Sequence, residues 1–276
     1  ELGPGNGVFC KTFCNTLKNF PAFKKSIKIY LLEKSEKLTN IQKDLIKEKN
    51  VNWIKNLNQI KNGPVLFFGN EFFDSIPIKQ FEVKKFNIYE KFICFENNKF
   101  KKFIFKKVSK KTKKKLKELG LLRKKGIIEY PKKGLQFLDL ITKKINKLNG
   151  GILLIDYGYI KAQGKDTLQS LKSHKKNVFY KNIGKADITY LVNFQLLNKF
   201  LLNKRFFLNR IVSQNFFLKK LGILDRAEIL SKNASFKEKS DLYYRLDRLL
   251  SKKKMGNLFK VLFASNSKGK FNLGFK

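Results

Sequence analysis

Glycine at every second position from 3 to 7, in Glu1-Leu2-Gly3-Pro4-Gly5-Asn6-Gly7, constrains this chain more than any other stretch. Glycines allow left-handed backbone and close approach of a ligand, and a helix that follows offers free N–H groups at its first turn. This is the chemistry of a strand-to-helix turn that holds a nucleotide, and it points to an enzyme with an adenosine cofactor. A dinucleotide fold carries G-x-G-x-x-G. Here the third glycine comes one place early and a proline separates the first two. A plain turn without a ligand is the alternative reading of a motif this short.

A loop of this type follows a strand. None precedes Glu1, so the sequence reads as lacking its first strand and an N-terminal region. The remaining 276 residues suit one α/β domain with insertions. Downstream, residues 8–18 read as a helix, and Ser26 to Glu33 as a strand ending in an acid. Leu38, Ile41 and Leu45 mark the apolar face of a second helix. Glu33 lies thirty residues after Gly3, farther than the ~20 residues that separate loop and ribose-binding acid in a dinucleotide fold. It is either that acid or a solvated strand end.

Pro64 to Gly69 is an apolar run bounded by turn residues, the pattern of a buried parallel strand. It delivers Asn70, Glu71 and Asp74 to its C-terminal end, the edge at which open α/β sheets bind ligands. Alternating segments at 79–86, 88–95 and 100–108 predict a small antiparallel insertion over residues 79–130. That insertion carries 13 Lys/Arg between Lys101 and Lys125. Leu138, Ile141, Ile145 and Leu148 recur at helical spacing, stopped by Gly150-Gly151 as a C-cap signal. Ile152 to Gly158 is a second buried strand. Residues 164–184 read as loop, helices fall near 193–204, 213–221 and 238–251, and further strands near 206–212 and 258–263. The alternation is that of a doubly wound sheet.

The formal charge of +40 invites a nucleic-acid partner. Only six of 61 basic residues are arginine, the better fork for phosphate and base edges. Lysines spread over every segment, as compositional drift would place them. Three cysteines with no C-x-x-C pair, and one histidine, argue against a zinc site or a disulfide framework. Cys10, Phe13, Cys14 and Leu17 share one helical face and read as packing residues. No run approaches the ~20 apolar residues of a membrane span. Composition and cysteine usage predict a soluble, intracellular protein without a metal.

The pattern of residues 1–7 resembles motif I of class I S-adenosylmethionine-dependent methyltransferases. Asn70-Glu71-Phe72-Phe73-Asp74-Ser75-Ile76-Pro77, Leu154 to Gly158, Asp166 to Gln169, His174, Ala186 to Thr189 and Met255 to Val261 then follow in order. Together they are similar to the MidA family, which includes a mitochondrial complex I assembly protein arginine methyltransferase. Asn193 stands where the family carries an acid, and Asn6 where a basic residue is frequent. The fold implied is the class I methyltransferase Rossmann-like sheet. The activity implied is methyl transfer from S-adenosyl-L-methionine to a protein arginine, with a respiratory complex I subunit as partner. The compartment implied is the bacterial cytoplasm or the mitochondrial matrix.

The resemblance assigns Glu1, Gly3, Gly5, Gly7, Glu33 and Asn70 to the cofactor and Glu71 and Asp74 to catalysis. Asp156, Tyr157, Asp166 and His174 fall on the substrate side. A guanidinium is a rigid fork of donors that carboxylates match, which suits Glu71 as principal partner. Asp74 is either a second partner or a cap of its turn. His174 is either a structural residue or a proton acceptor. Two alternatives remain within the same fold: an RNA methyltransferase, and an assembly factor that keeps the pocket without catalysis.

Overall fold

The apolar runs at 65–70 and 150–159 become neighbouring parallel strands, Val65–Asn70 and Gly150–Tyr159, paired from Val65↔Gly150 to Asn70↔Ile155. They belong to a computed structural model that describes residues 1–276 except 86, 98, 162, 163, 174 and 270. His174 therefore lies outside the described residues. On its other side Gly150–Tyr159 pairs antiparallel with Phe259–Ser265, which in turn carries Phe207–Leu208 and Val212–Ser213. Val192–Asn193 joins in parallel at Gly158 and Tyr159. The result is a mixed sheet, parallel at its centre and antiparallel at one edge.

Residues 1–3 form the other boundary. Leu2 N–H donates to Phe68 O at 2.8 Å, Gly3 N–H to Leu32 O at 3.1 Å, and Leu32 N–H to Glu1 O at 2.9 Å. Leu2 thus bridges in parallel both to Gly69 and to Leu32. Beyond it lies the parallel pair Ile29–Leu32 and Val51–Ile54. The segment expected to need a strand before it is itself extended, wedged between two halves of a sheet.

Both faces are covered at Phe259–Ser265, while on Val65–Asn70 the expected full burial is broken by Leu66, which is exposed. On Phe259–Ser265, Val261 and Leu262 point oppositely, yet each is fully buried. Leu262 packs in the main core, with Leu138, Ile141 and Ile145 of the helix Lys132–Leu148. Val261 packs with Val212, Phe217 and Phe275. A third cluster joins Cys10, Cys14 and Leu17 of the helix Val8–Leu17 to Leu31 and Val51. Burial pushes the Cys10 thiol up to about 12, so it stays protonated and packs as an apolar group.

Residues 79–130 hold the antiparallel strands Lys79–Lys84, Asn87–Glu96 and Lys99–Lys107, with Gly126–Tyr130 added beside the first. The basic tract supplies much of Lys99–Lys107 and the helix Lys110–Glu118, capped by Ser109 and burying Leu116.

Four expectations change. The helix Glu36–Leu45 buries Thr39 and Gln42, while Ile41 and Leu45 are exposed; the polar face turns inward because it carries the hydrogen bonds described below. Asn149, at φ 60°, ends the long helix, and Gly150, at φ 131°, already belongs to the next strand. Residues 164–184 are not all loop: Gln169–Lys172 pairs with Lys175–Asn177 and Asp187–Thr189. The strand expected near 206–212 is two short pieces, Phe207–Leu208 and Val212–Ser213, and a further helix spans Ile223–Ser231. Asn193, in place of an acid, accepts from Leu196 N–H at 3.0 Å and caps the helix Phe194–Asn203.

Gly150 has a steric reason to be glycine, since an added Cβ would lie 1.9 Å from Val65 O. Gly150→Ala is expected to destabilise the fold by about 2 kcal/mol or more, read as a lower urea midpoint at unchanged slope.

Candidate active site

The glycine loop is built from three left-handed residues, Gly3, Gly5 and Gly7, at φ 59°, 55° and 81°. Side chains other than glycine are strained there. Gly7 is also the N-cap of Val8–Leu17 and provides no side-chain acceptor, so among the described residues the first-turn N–H groups of that ten-residue helix have no side-chain cap. A Cβ at Gly5 would meet nothing within 4 Å, so that side of the loop opens on space. A Cβ at Gly3 would stand 2.9 Å from the Phe72 ring. The loop therefore abuts the turn that carries Glu71 and Asp74.

That turn is set by its backbone. Glu71 sits at φ 50° and donates its N–H to Ile155 O at 3.0 Å. Behind it, Asp156 Oδ2 accepts from Phe73 N–H at 3.0 Å and Asp74 N–H at 3.3 Å, while Oδ1 accepts from Tyr157 N–H at 2.9 Å. Asp156 is 3% exposed. It was expected to line the substrate side. Its alternating strand position points it inward, and it anchors the turn from beneath.

Asp74 is likewise 3% exposed, and its Oδ1 has no hydrogen-bond partner among the described residues. Burial raises its carboxyl above the usual range, with the Tyr157 hydroxyl pulling the other way. Burial and then Asp74 push Asp156 up, and burial and then Asp74 raise the phenol of Tyr157. Glu71 is exposed at the rim. Its carboxyl is raised by partial desolvation and by Asp74, against Asn70 and the charge of Arg248. Asn70 Nδ2 stands 3.5 Å from Glu71 Oε1. Three acids thus cluster on and beneath one turn, with Arg248 the cation whose charge acts on Glu71.

On the cofactor side, Glu33 is 9% exposed. Its Oε1 accepts from Lys34 and Ser35 N–H, both at 2.8 Å, which orients the carboxylate at the mouth of the helix Glu36–Leu45. Its Oε2 takes only the Gln42 amide at 3.3 Å among the described residues and keeps acceptor capacity. Glu1 is partly buried, which raises its carboxyl.

Asp166 is elsewhere. Its carboxylate accepts from Gln80 Nε2 at 2.6 Å and Leu168 N–H at 3.1 Å, and pairs with Lys91 at 3.3 Å. These contacts tie it to the antiparallel sheet, and none joins it to Glu71 or Asp74. Sequence reading missed Phe72 as the contact with Gly3, and it missed Gln42. The signal for Gln42 was one amide on the face of a helix next to the loop.

A family profile of S-adenosyl-L-methionine-dependent methyltransferases, Methyltransf_28, matches residues 1–208. The chain belongs to that family. It is MidA-like, as the motifs implied. A mitochondrial protein named protein arginine methyltransferase NDUFAF7 from Xenopus laevis is 24% identical over 94% of the chain. The Homo sapiens protein of that name is 25% identical over 94% of the chain. The chain spans 65% and 64% of the length of those two proteins. Two crystal structures from Burkholderia thailandensis share the fold over the whole chain. One is an uncharacterised COG1565 superfamily protein, with TM-score 0.80, 18% identity and 73% of its own chain covered. The other is a COG1565 superfamily member bound to S-adenosyl-homocysteine, with TM-score 0.79, 20% identity and 71% covered.

S-adenosylmethionine fits the residues present. The loop has open space at Gly5, uncapped N–H groups beyond Gly7 suit the methionine carboxylate, and Glu33 Oε2 has capacity for ribose hydroxyls. Because Asp74 is raised, its ionised form weakens the fold above the ordinary carboxylate range. Asp74→Asn is therefore expected to be more stable than wild type at pH 8, with the gap closing as pH falls and wild-type Asp74 takes up its proton. Urea unfolding at both pH values measures it.

Proposed function

We propose that this methyltransferase acts on the guanidinium of a protein arginine, held by Glu71 with Asp74 behind it. The observation that carries this reading is the acid pair itself: two carboxyls on one turn, both raised, beside the cofactor loop and with no ion-paired cation on either among the described residues. An arginine side chain brings that charge with a planar fork of N–H donors, which carboxylates accept bidentately. The relatives named as arginine methyltransferases support the same acceptor. By the family resemblance, that acceptor belongs to a respiratory complex I subunit during assembly.

In this reading the bound cofactor supplies an activated methyl on its sulfonium. The protein's work is alignment. Gly3, Gly5 and Gly7 seat the donor and Glu33 holds its ribose. Glu1 would face its methionine amino group, and Asn70 stands beside Glu71. The exposed carboxylate of Glu71 turns one guanidinium nitrogen toward the loop, and such positioning accounts for a large share of catalysis in a displacement of this kind. Tyr157 stands against Asp74 and fixes the depth of the recess.

An RNA acceptor is the second reading, and one aromatic cluster bears on it. Phe100, Phe103, Phe179 and Tyr180, distant in sequence, gather near the basic tract, with Phe100 and Tyr180 stacked at 3.9 Å. Stacking platforms for single strands present free ring faces. Here rings lie on one another, which favours the protein acceptor.

Glu71→Gln is expected to lower methyl transfer to protein about 100-fold or more, while S-adenosyl-homocysteine binds as in wild type by calorimetry. Labelled methyl appearing in the RNA fraction of a lysate, with none in protein, would overturn the arginine reading.

A further inference from the structure

Gln42 is fully buried, at 0% exposed, although it is neither an apolar residue nor one of the family motifs. Its amide makes three contacts that join three separate pieces of the cofactor site. Nε2 donates to Gly5 O at 2.6 Å and to Glu33 Oε2 at 3.3 Å. Oε1 accepts from the Trp53 indole N–H at 3.0 Å. The indole can only donate, and the carbonyl and carboxylate can only accept, so the amide has one orientation that satisfies all three.

Packing reinforces this. A Cβ at Gly7 would lie 3.1 Å from Gln42 Cγ, so the third glycine of the loop rests on this side chain. The contact also explains why Glu36–Leu45 turns Thr39 and Gln42 inward and leaves Ile41 and Leu45 outside. Rotating the helix to bury its leucine and isoleucine would withdraw the amide and strand the Trp53 indole and the Gly5 carbonyl. A buried donor or acceptor left without its partner costs more than the hydrogen bond itself contributes.

We infer that Gln42 is a positioning residue of the cofactor site: it sets the spacing between the Gly5 carbonyl and the Glu33 carboxylate, and so fixes how loop and ribose-side acid meet S-adenosylmethionine together. The inference rests on the cofactor roles of the loop and Glu33, and it is independent of which acceptor is methylated. Trp53, the only tryptophan in the chain, is its optical reporter.

Binding of S-adenosyl-homocysteine to the full chain, followed by calorimetry and by Trp53 emission, tests it without any methyl acceptor. Wild type is expected to bind, with a change in Trp53 emission that saturates along the calorimetric isotherm. Gln42→Leu is expected to weaken binding about tenfold or more, with the loss appearing in Kd of the folded protein. A lower Tm with wild-type Kd in the folded fraction would show a merely structural residue and overturn the proposal. Gln42→Glu keeps the size and the acceptor for Trp53 but faces Glu33 with a second carboxylate. It is expected to bind poorly at pH 8 and to recover relative to wild type as pH falls and the new acid regains a proton to donate. Glu33 is the charged neighbour in that contact; Gly5 and Trp53 contribute groups that carry no charge. No recovery would overturn the donor role. Wild type that binds without any Trp53 response overturns the link to the indole, and wild type that fails to bind overturns the cofactor reading as well.

Discussion

A carboxylate hidden from water and from substrate alike, Asp156, is what the acid turn depends on. Three backbone N–H groups, from Phe73, Asp74 and Tyr157, converge on it. Residues 71–74 leave their strand abruptly, with Glu71 left-handed. Such a turn needs a buried acceptor for the N–H groups it orphans. Asp156 meets that need at the cost of a second buried acid beside Asp74. Burial raises both acids, and the charge of Asp74 raises Asp156 further, so the support of the turn is itself part of the acid cluster. Raised carboxyls of this kind gather at functional sites.

Much of this was legible in the chain and some was not, for physical reasons. The strands Val65–Asn70 and Gly150–Tyr159 announced themselves as apolar runs with acids at or just past their ends, the pattern of central strands, although Leu66 on the first is exposed. The glycine spacing indicated left-handed backbone at 3, 5 and 7. Direction was harder. An acid at a strand end reads the same whether it points to ligand or to protein, and only the alternation within Gly150–Tyr159 turns Asp156 inward. Asp166 looked like a member of the site and is engaged by Gln80 and Lys91, across a sheet that no local pattern relates to it.

The helix Glu36–Leu45 failed more instructively. Its periodicity predicted an apolar face of Leu38, Ile41 and Leu45, and hydrophobic pattern is ordinarily the stronger signal. The structure buries the amide of Gln42 instead, because three fixed polar groups converge there. Local pattern yields where a polar network is fully satisfied. Places where pattern reading fails in this way are expected near function.

The wedge formed by residues 1–3 has a mechanical meaning. Leu2 is held to Phe68 on one side, and Glu1 and Gly3 to Leu32 on the other. Among the described residues, these few bonds splice the strand pair Ile29–Leu32 and Val51–Ile54 onto the larger sheet. Glu33 rides on the first piece and Glu71 on the second, with the glycines rising from the splice. Any relative slip of the two pieces changes the span from Glu33 to Glu71. The separation of the two acids is therefore set at a joint, and the three-residue splice acts as the gauge that keeps that span constant.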